Sequence, residues 1–297
     1  MKILVTNNTL GSPGGSETYA YALISELHNR GIDVEALTAS SVGIIATKLT
    51  EKGIKISRGA AKERSYDLIL ASHLSSHPII NNLQGKKIQT CHGPMHHLEQ
   101  PMSGIDGYVS VSEEVQAHLQ SKNIQSSVIY NGVDVDRFSP KKPIGDSVKS
   151  VLSLSQHGPF NTFLKKMFEK RGIAFKSLNK FASPVFNVED YINEADLVIS
   201  IGRGVYEAMS CGRPVLCLDN RQYMGAIPTG EGLLTENNMT ECLKNNCTGR
   251  RYKISFNEQS IIQEIEKYNP SIGEWARQFV LNNLAISKQV DKYLSLK

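Results

Sequence analysis

Short apolar strands alternate with amphipathic helices along this chain, and the pattern is sharpest between Leu197 and Leu218. An apolar run, Leu197-Val198-Ile199-Ser200-Ile201, leads into a glycine pair, Gly202 and Gly204. A short amphipathic helix follows, then Gly212, Pro214 and a second apolar run, Val215–Leu218. Alternation of this kind predicts a parallel, doubly wound sheet with ligands at the carboxyl ends of its strands. The glycine turn is also suited to an anion, because glycines let the backbone approach closely and first-turn amides lack helical partners. Glu207, just inside the helix, repels a phosphate but accepts hydrogen bonds from sugar hydroxyls close to one. The stretch therefore reads as half of a nucleotide site.

A chain of 297 residues is long for one compact domain and comfortable for two. It has no run of eighteen apolar residues, and Met1–Val5 is already strand-like, without the apolar stretch and cleavage site of a signal peptide. The net charge of +4 suits an anionic ligand without demanding nucleic acid. Cys91, Cys211, Cys217, Cys242 and Cys247 form no CxxC pair, which predicts reduced thiols and a cytoplasmic protein. In that compartment the sequon Asn246-Cys247-Thr248 has no consequence.

In the first half, strand Lys2–Thr6 leads through a loop containing Gly14 and Gly15 to a helix, with Ser16 as its N-cap and Gly31 as its stop. Further strands are expected at Val34–Thr38, Tyr66–Ala71, Lys87–Cys91, Tyr108–Ser112 and Ser127–Tyr130, with helices at Val42–Lys52 and Glu113–Lys122 between them. The loop is not a GxGxxG dinucleotide fingerprint. Turn residues and two prolines from Asn131 to Pro143 mark a linker. The pattern then restarts with strand Val148–Leu154, helix Phe160–Arg171 and helix Val188–Glu194, and ends in a helical tail, Ser271–Lys297.

Four segments in order resemble glycosyltransferase family 4. They are Gly14-Gly15-Ser16-Glu17; Thr90-Cys91-His92-Gly93; Val109–Glu114 leading to Asn131-Gly132-Val133-Asp134, Arg137 and Phe138; and Ala195–Ser200 leading to Glu207-Ala208-Met209-Ser210-Cys211-Gly212-Arg213-Pro214-Val215. The resemblance implies the GT-B fold, two Rossmann-like α/β domains facing each other across a cleft. An acceptor-side domain would span 1–140, with the tail 271–297 packing back on it, and a nucleotide-sugar domain 141–270. It implies transfer of a sugar from a nucleoside-diphosphate sugar to a hydroxyl acceptor (a glycan, lipid or small molecule), with retention of configuration and no metal or other cofactor.

The resemblance also implies roles for particular residues. Gly14 and Gly15 would let their loop approach the diphosphate or the acceptor. Glu207 would hold the ribose hydroxyls, and the amides of Gly202, Arg203, Gly204 and Val205 would face the phosphates. His92 would lie near the transferred sugar. Two family features are missing. Ile199 stands where a first glutamate is expected, and Ser153–Pro159 carries no arginine or lysine to clamp the diphosphate. Arg203 is the nearest replacement cation and the second catalytic candidate beside His92, with His157 and Lys165 as alternatives. Arg213 and Pro214 read as a structural turn. A sugar-nucleotide epimerase and a non-catalytic sugar-nucleotide binder are the rival functions for the same architecture.

Two motifs invite metal binding and are set aside. Asp134-Val135-Asp136 lies among turn residues, and Cys91, His92, His96 and His97 pair adjacent ligands in a way that suits zinc poorly. Apolar Val42–Leu49, with Lys48, Lys52, Lys55, Arg58, Lys62 and Arg64 on or after it, would support weak peripheral contact with an anionic membrane. A Rossmann helix with a solvated basic face is the plainer reading.

Overall fold

The computed structural model describes residues 1–221, 228–250 and 254–297. Its contacts divide the chain into two units, Met1–Gly132 with Ile286–Lys297, and Val133–Ala285.

The first unit opens with β1 (Lys2–Asn7), α1 (Gly15–Asn29), β2 (Asp33–Thr38), α2 (Ile44–Glu51) and β3 (Lys55–Arg58). It continues with β4 (Ser65–Ala71), α3 (His77–Ile80), β5 (Gln84–Cys91), β6 (Gly107–Ser110), α4 (Glu113–Gln120) and β7 (Ser127–Val128). The strands form one sheet in the order β3-β2-β1-β4-β5-β6-β7, every pair parallel. Helices cover both faces of such a sheet, which is why Ile3, Leu4 and Val5 are apolar in succession and all buried. The strand order reverses between β1 and β4.

The second unit holds β8 (Ser150–Ser153), α5 (Gly158–Glu169), β9 (Ala174–Ser177), α6 (Val188–Asn193), β10 (Leu197–Ser200), α7 (Arg203–Ser210) and β11 (Val215–Asp219). After these come β12 (Thr229–Leu233), α8 (Met239–Lys244), β13 (Ile254–Ser255), α9 (Glu258–Glu266) and α10 (Pro270–Asn283). The sheet order is β13-β12-β11-β10-β8-β9, parallel from β9 to β11 and antiparallel at β12 and β13. Here the order reverses between β8 and β10. Val151, Phe160, Leu164, Leu197, Ile199 and Leu216 belong to the buried core between this sheet and its helices.

The tail is two helices with different allegiances. α10 lies against α7, where Gly273 approaches the carbonyl of Gly212 too closely for any side chain. Arg277 Nη1 donates to the carbonyls of Phe138 and Ser210 at 2.9 and 2.8 Å. The second unit therefore runs to Ala285, and only Ile286 onward joins the first. α11 (Ile286–Leu294) packs on α1, and Tyr293 reaches into the first unit's core. Its hydroxyl lies 2.8 Å from Tyr19 Oη and 2.7 Å from Thr90 Oγ1.

One local expectation is corrected. α1 begins at Gly15 with Gly14 as its N-cap, so Ser16 lies inside the helix. α2 spends its apolar face on the unit's own core, with Ile45, Ala46 and Leu49 buried. Of the basic residues near it, Lys48 pairs with Glu51 and Lys55 with Asp33. No helix among the described residues is long and apolar enough to cross a membrane.

Tyr293→Phe removes one hydroxyl from a buried group of three and leaves the other two 3.4 Å apart. The expected loss is about 1–2 kcal/mol of first-unit stability, read from urea unfolding. An unchanged midpoint would show that this hydroxyl cluster contributes nothing.

Candidate active site

In the second unit, the carboxyl ends of β8 and β10 sit side by side where the strand order reverses. Leu154 N–H donates to the Ile199 carbonyl at 2.9 Å. Two residues, Ile201 and Gly202, make the whole connection from β10 to α7. Such an abrupt joint needs unusual backbone, and Gly202 supplies it with φ +56° and ψ −133°. Gly204 is needed for packing. A Cβ there would run into Ser200 Oγ and stand 3.2 Å from Leu154 Cδ1, so the first turn of α7 lies directly on the ends of β8 and β10.

The tight joint also consumes amides. Gly202 N–H donates to the Cys247 carbonyl at 2.8 Å, and Val205 N–H to the Gly202 carbonyl at 3.0 Å. Two of the four amides expected to face phosphates are thus spent inside the chain. α5 compensates in part, since it starts at Gly158, directly after the loop that follows β8. A Cβ on Gly158 would meet nothing within 4 Å, so this helix start is open to approach. His157 precedes it as the N-cap without a side-chain cap bond. Its Nδ1 is buried without a hydrogen-bond partner among the described residues. Lys165 lies elsewhere, on the exposed side of α5, 3.7 Å from Glu169.

Ile199 occupies the middle of β10 and is fully buried in the core. Counting eight positions back from Glu207 therefore reaches a strand interior, not a loop. A glutamate there would be an unpaired charge among apolar side chains, which is prohibitive. The missing first glutamate follows from the short joint.

Glu207 is 6% exposed and Arg203, one turn earlier on α7, is 8% exposed. Arg203 Nε donates to Glu207 Oε1 at 2.8 Å. A second buried pair is close by. Arg137 Nη2 donates to Glu189 Oε2 at 2.9 Å, and its guanidinium lies over the Phe186 ring at 4.2 Å. Burial pushes the Glu207 carboxyl above its ordinary range. Arg203 and Arg137 pull it back only in part, and Glu189 opposes them. Arg213 has the structural role expected, with Nη2 donating to the carbonyls of Lys142 and Asn193 at 2.7 and 2.8 Å.

The first unit presents a second crevice where β1 and β4 part. The Gly14-Gly15 loop starts α1 there, and a Cβ on Gly15 would meet nothing within 4 Å. His73, just after β4, accepts from Asn8 N–H through Nδ1 at 3.2 Å. Burial, with His96 adding to it, lowers His73 to about 4, so it is neutral at physiological pH. Its ring stacks on His92 at 6.0 Å, and His92 meets Tyr19 edge-on at 4.6 Å. Asp134 Oδ1 accepts from the amides of Asp136 and Arg137, which makes the DxD a turn cap. Among the described residues no group of three or more His, Cys, Asp or Glu is arranged to hold a metal ion.

Gly202, Arg203, Gly204 and Glu207 lie together at the β10–α7 joint and the first turns of α7. Sequence reasoning missed His73, although Ser72-His73 directly follows an expected strand. It quoted Arg137 without a role, and Glu189, 52 positions away, gave no signal.

The solved structures that this fold resembles are glycosyltransferases. One from Rickettsia africae superposes with a TM-score of 0.62 at 16% identity, covering 99% of this chain and 97% of its own. AviGT4, a glycosyltransferase of avilamycin A biosynthesis, gives 0.62 at 13%, with 99% and 96% covered. S. aureus TarM, in a complex containing UDP, gives 0.59 at 11%, with 99% of both chains covered. No curated protein matches by sequence. The two Rossmann-like units thus have the GT-B fold of those structures. Residues 13–137, from the Gly14-Gly15 loop to Arg137, match the model of Glycosyltransferase Family 4.

Removing one partner of a buried ion pair strands the other, at about 3–5 kcal/mol. Arg203→Met is expected to lower stability by up to that amount, and adding Glu207→Gln to recover much of it. Equal chemical-denaturation midpoints for the single and double variants would show that the pair is not coupled.

Proposed function

We propose that the protein transfers a sugar from a nucleoside-diphosphate sugar to a hydroxyl acceptor in the cytoplasm, with retention of configuration. The observation that carries this reading is a buried carboxylate, Glu207, held by Arg203 on the helix that starts at the strand-order reversal of the second unit. An anionic carboxylate accepts from the paired hydroxyls of a ribose. Helix N-termini carry partial positive charge and unpaired amides, which suit a diphosphate. UDP in the TarM complex agrees with a nucleoside diphosphate as the donor's carrier. Five free cysteines, all buried, agree with a reducing compartment.

In this reading Glu207 holds the ribose, and the start of α5, with His157 and the Gly204 amide, faces the diphosphate. Those donors stabilise the charge that develops as the bond from the sugar's anomeric carbon to the phosphate oxygen breaks. The acceptor oxygen bonds to the same face of that carbon, and its proton passes to the departing phosphate. The first unit holds the acceptor, with Gly14 and Gly15 allowing close approach and His92 near the sugar. Neutral His73 backs His92 without adding charge. In this reading helix-start amides and a histidine side chain meet that charge without a metal.

Glu207→Ala is expected to weaken UDP or GDP binding about ten- to a hundredfold, the loss of about 1–3 kcal/mol of hydrogen bonding to a charged acceptor. Calorimetry measures it, and equal affinities would remove Glu207 from the site. Release of UDP or GDP from a panel of sugar nucleotides should depend on an added hydroxyl acceptor. Turnover of the sugar without one would favour an epimerase instead.

A further inference from the structure

Arg203 was the natural substitute for the missing diphosphate clamp, but its geometry assigns it elsewhere. We propose that Arg203 is a positioning residue, which fixes the Glu207 carboxylate as an anion for the ribose instead of contacting the diphosphate. This rests on the reading of Glu207 given above.

The Nε–H of Arg203 is directed one turn along its own helix to Glu207 Oε1, at 2.8 Å. Both side chains are under 10% exposed, so the bond forms out of water, where it holds orientation strongly. A carboxylate has about four acceptor positions, so one arginine bond leaves capacity for two hydroxyls. Among the described residues, three charged groups act most strongly on Glu207. Arg203 lies on the same helix, Arg137 comes from the segment before β8, and Glu189 comes from α6. Burial pushes the thiol of Cys211, at the end of α7, up to about 12, and the Glu207 charge adds to it. Arg137 is committed to Glu189 at 2.9 Å. Removing Arg203 would leave Glu207 facing a pair with little net charge. It would then take up a proton at higher pH, and a protonated acid is a poorer acceptor for two hydroxyls.

The test is the pH dependence of UDP and GDP binding to the wild type, Arg203→Gln, Arg203→Lys and Glu207→Gln, from about pH 5 to about pH 9. The diphosphate titrates near pH 6 in every case, and Glu207→Gln isolates that contribution. In the wild type, affinity should fall as pH drops through the raised Glu207 value. In Arg203→Gln the acid midpoint should move up by at least about one pH unit, given the strength of a close buried charge pair. Arg203→Lys keeps the charge but not the Nε–H, so its midpoint should move the same way by less. It also carries the test if the glutamine variant does not fold. A pH-independent loss of affinity with unmoved midpoints overturns the proposal and gives Arg203 to the phosphates. A wild type that binds neither nucleotide, or Glu207→Gln binding as tightly as wild type at neutral pH, overturns the functional reading itself.

Discussion

The two-residue joint between β10 and α7 is the constraint from which the second unit's site follows. Because only Ile201 and Gly202 separate strand from helix, α7 must start directly above the ends of β8 and β10. That position is tolerable only with glycine at 204, where Ser200 and Leu154 leave no room for a side chain. It also needs glycine at 202, where φ is positive. The Gly202 amide is held by Cys247 O, so the chain after α8 braces the turn from behind. A longer connection would have offered more free backbone to a phosphate. The short one offers a rigid helix start and two buried charged side chains on its first turns.

Burying charge in that place is costly, and the fold offsets the cost by pairing. Arg203 with Glu207 and Arg137 with Glu189 are two near-neutral pairs set together, under aromatic cover from Phe138 and Phe186. Ion pairs in such surroundings add little net stability compared with apolar packing. What they add is orientation, since each charge is held at hydrogen-bond distance by a partner that has few other conformations. For Glu207 the pairing thus fixes direction more than it adds strength.

Much of the fold was legible because both sheets are parallel and buried. Runs such as Ile3-Leu4-Val5 and Leu197-Val198-Ile199 are apolar without alternation, and helices intervene at regular spacing. The antiparallel strands β12 and β13 were not, because Thr229-Gly230-Glu231-Gly232-Leu233 lacks an apolar run, and its pairing depends on glycines that fit against Cys217 and Glu264. The division of the tail was hidden for a similar reason. The contact of Gly273 with Gly212 that keeps α10 in the second unit is made by residues without side chains. The place of Glu207 on a helix after a glycine turn was legible. The direction of Arg203 was not, because a loop arginine and a helix arginine look alike until the helix start is fixed to within one residue.

That last residue decides what the arginine can do. Had α7 begun a turn later, Arg203 would have belonged to a loop, extended and able to follow a phosphate. Beginning at Arg203, the helix places position 207 one turn on along the same face, within reach of its guanidinium. The glycine joint thus sets the chemistry of the arginine as well as the packing of the helix. The other open helix start of this unit is the first turn of α5, after His157 on the neighbouring strand end.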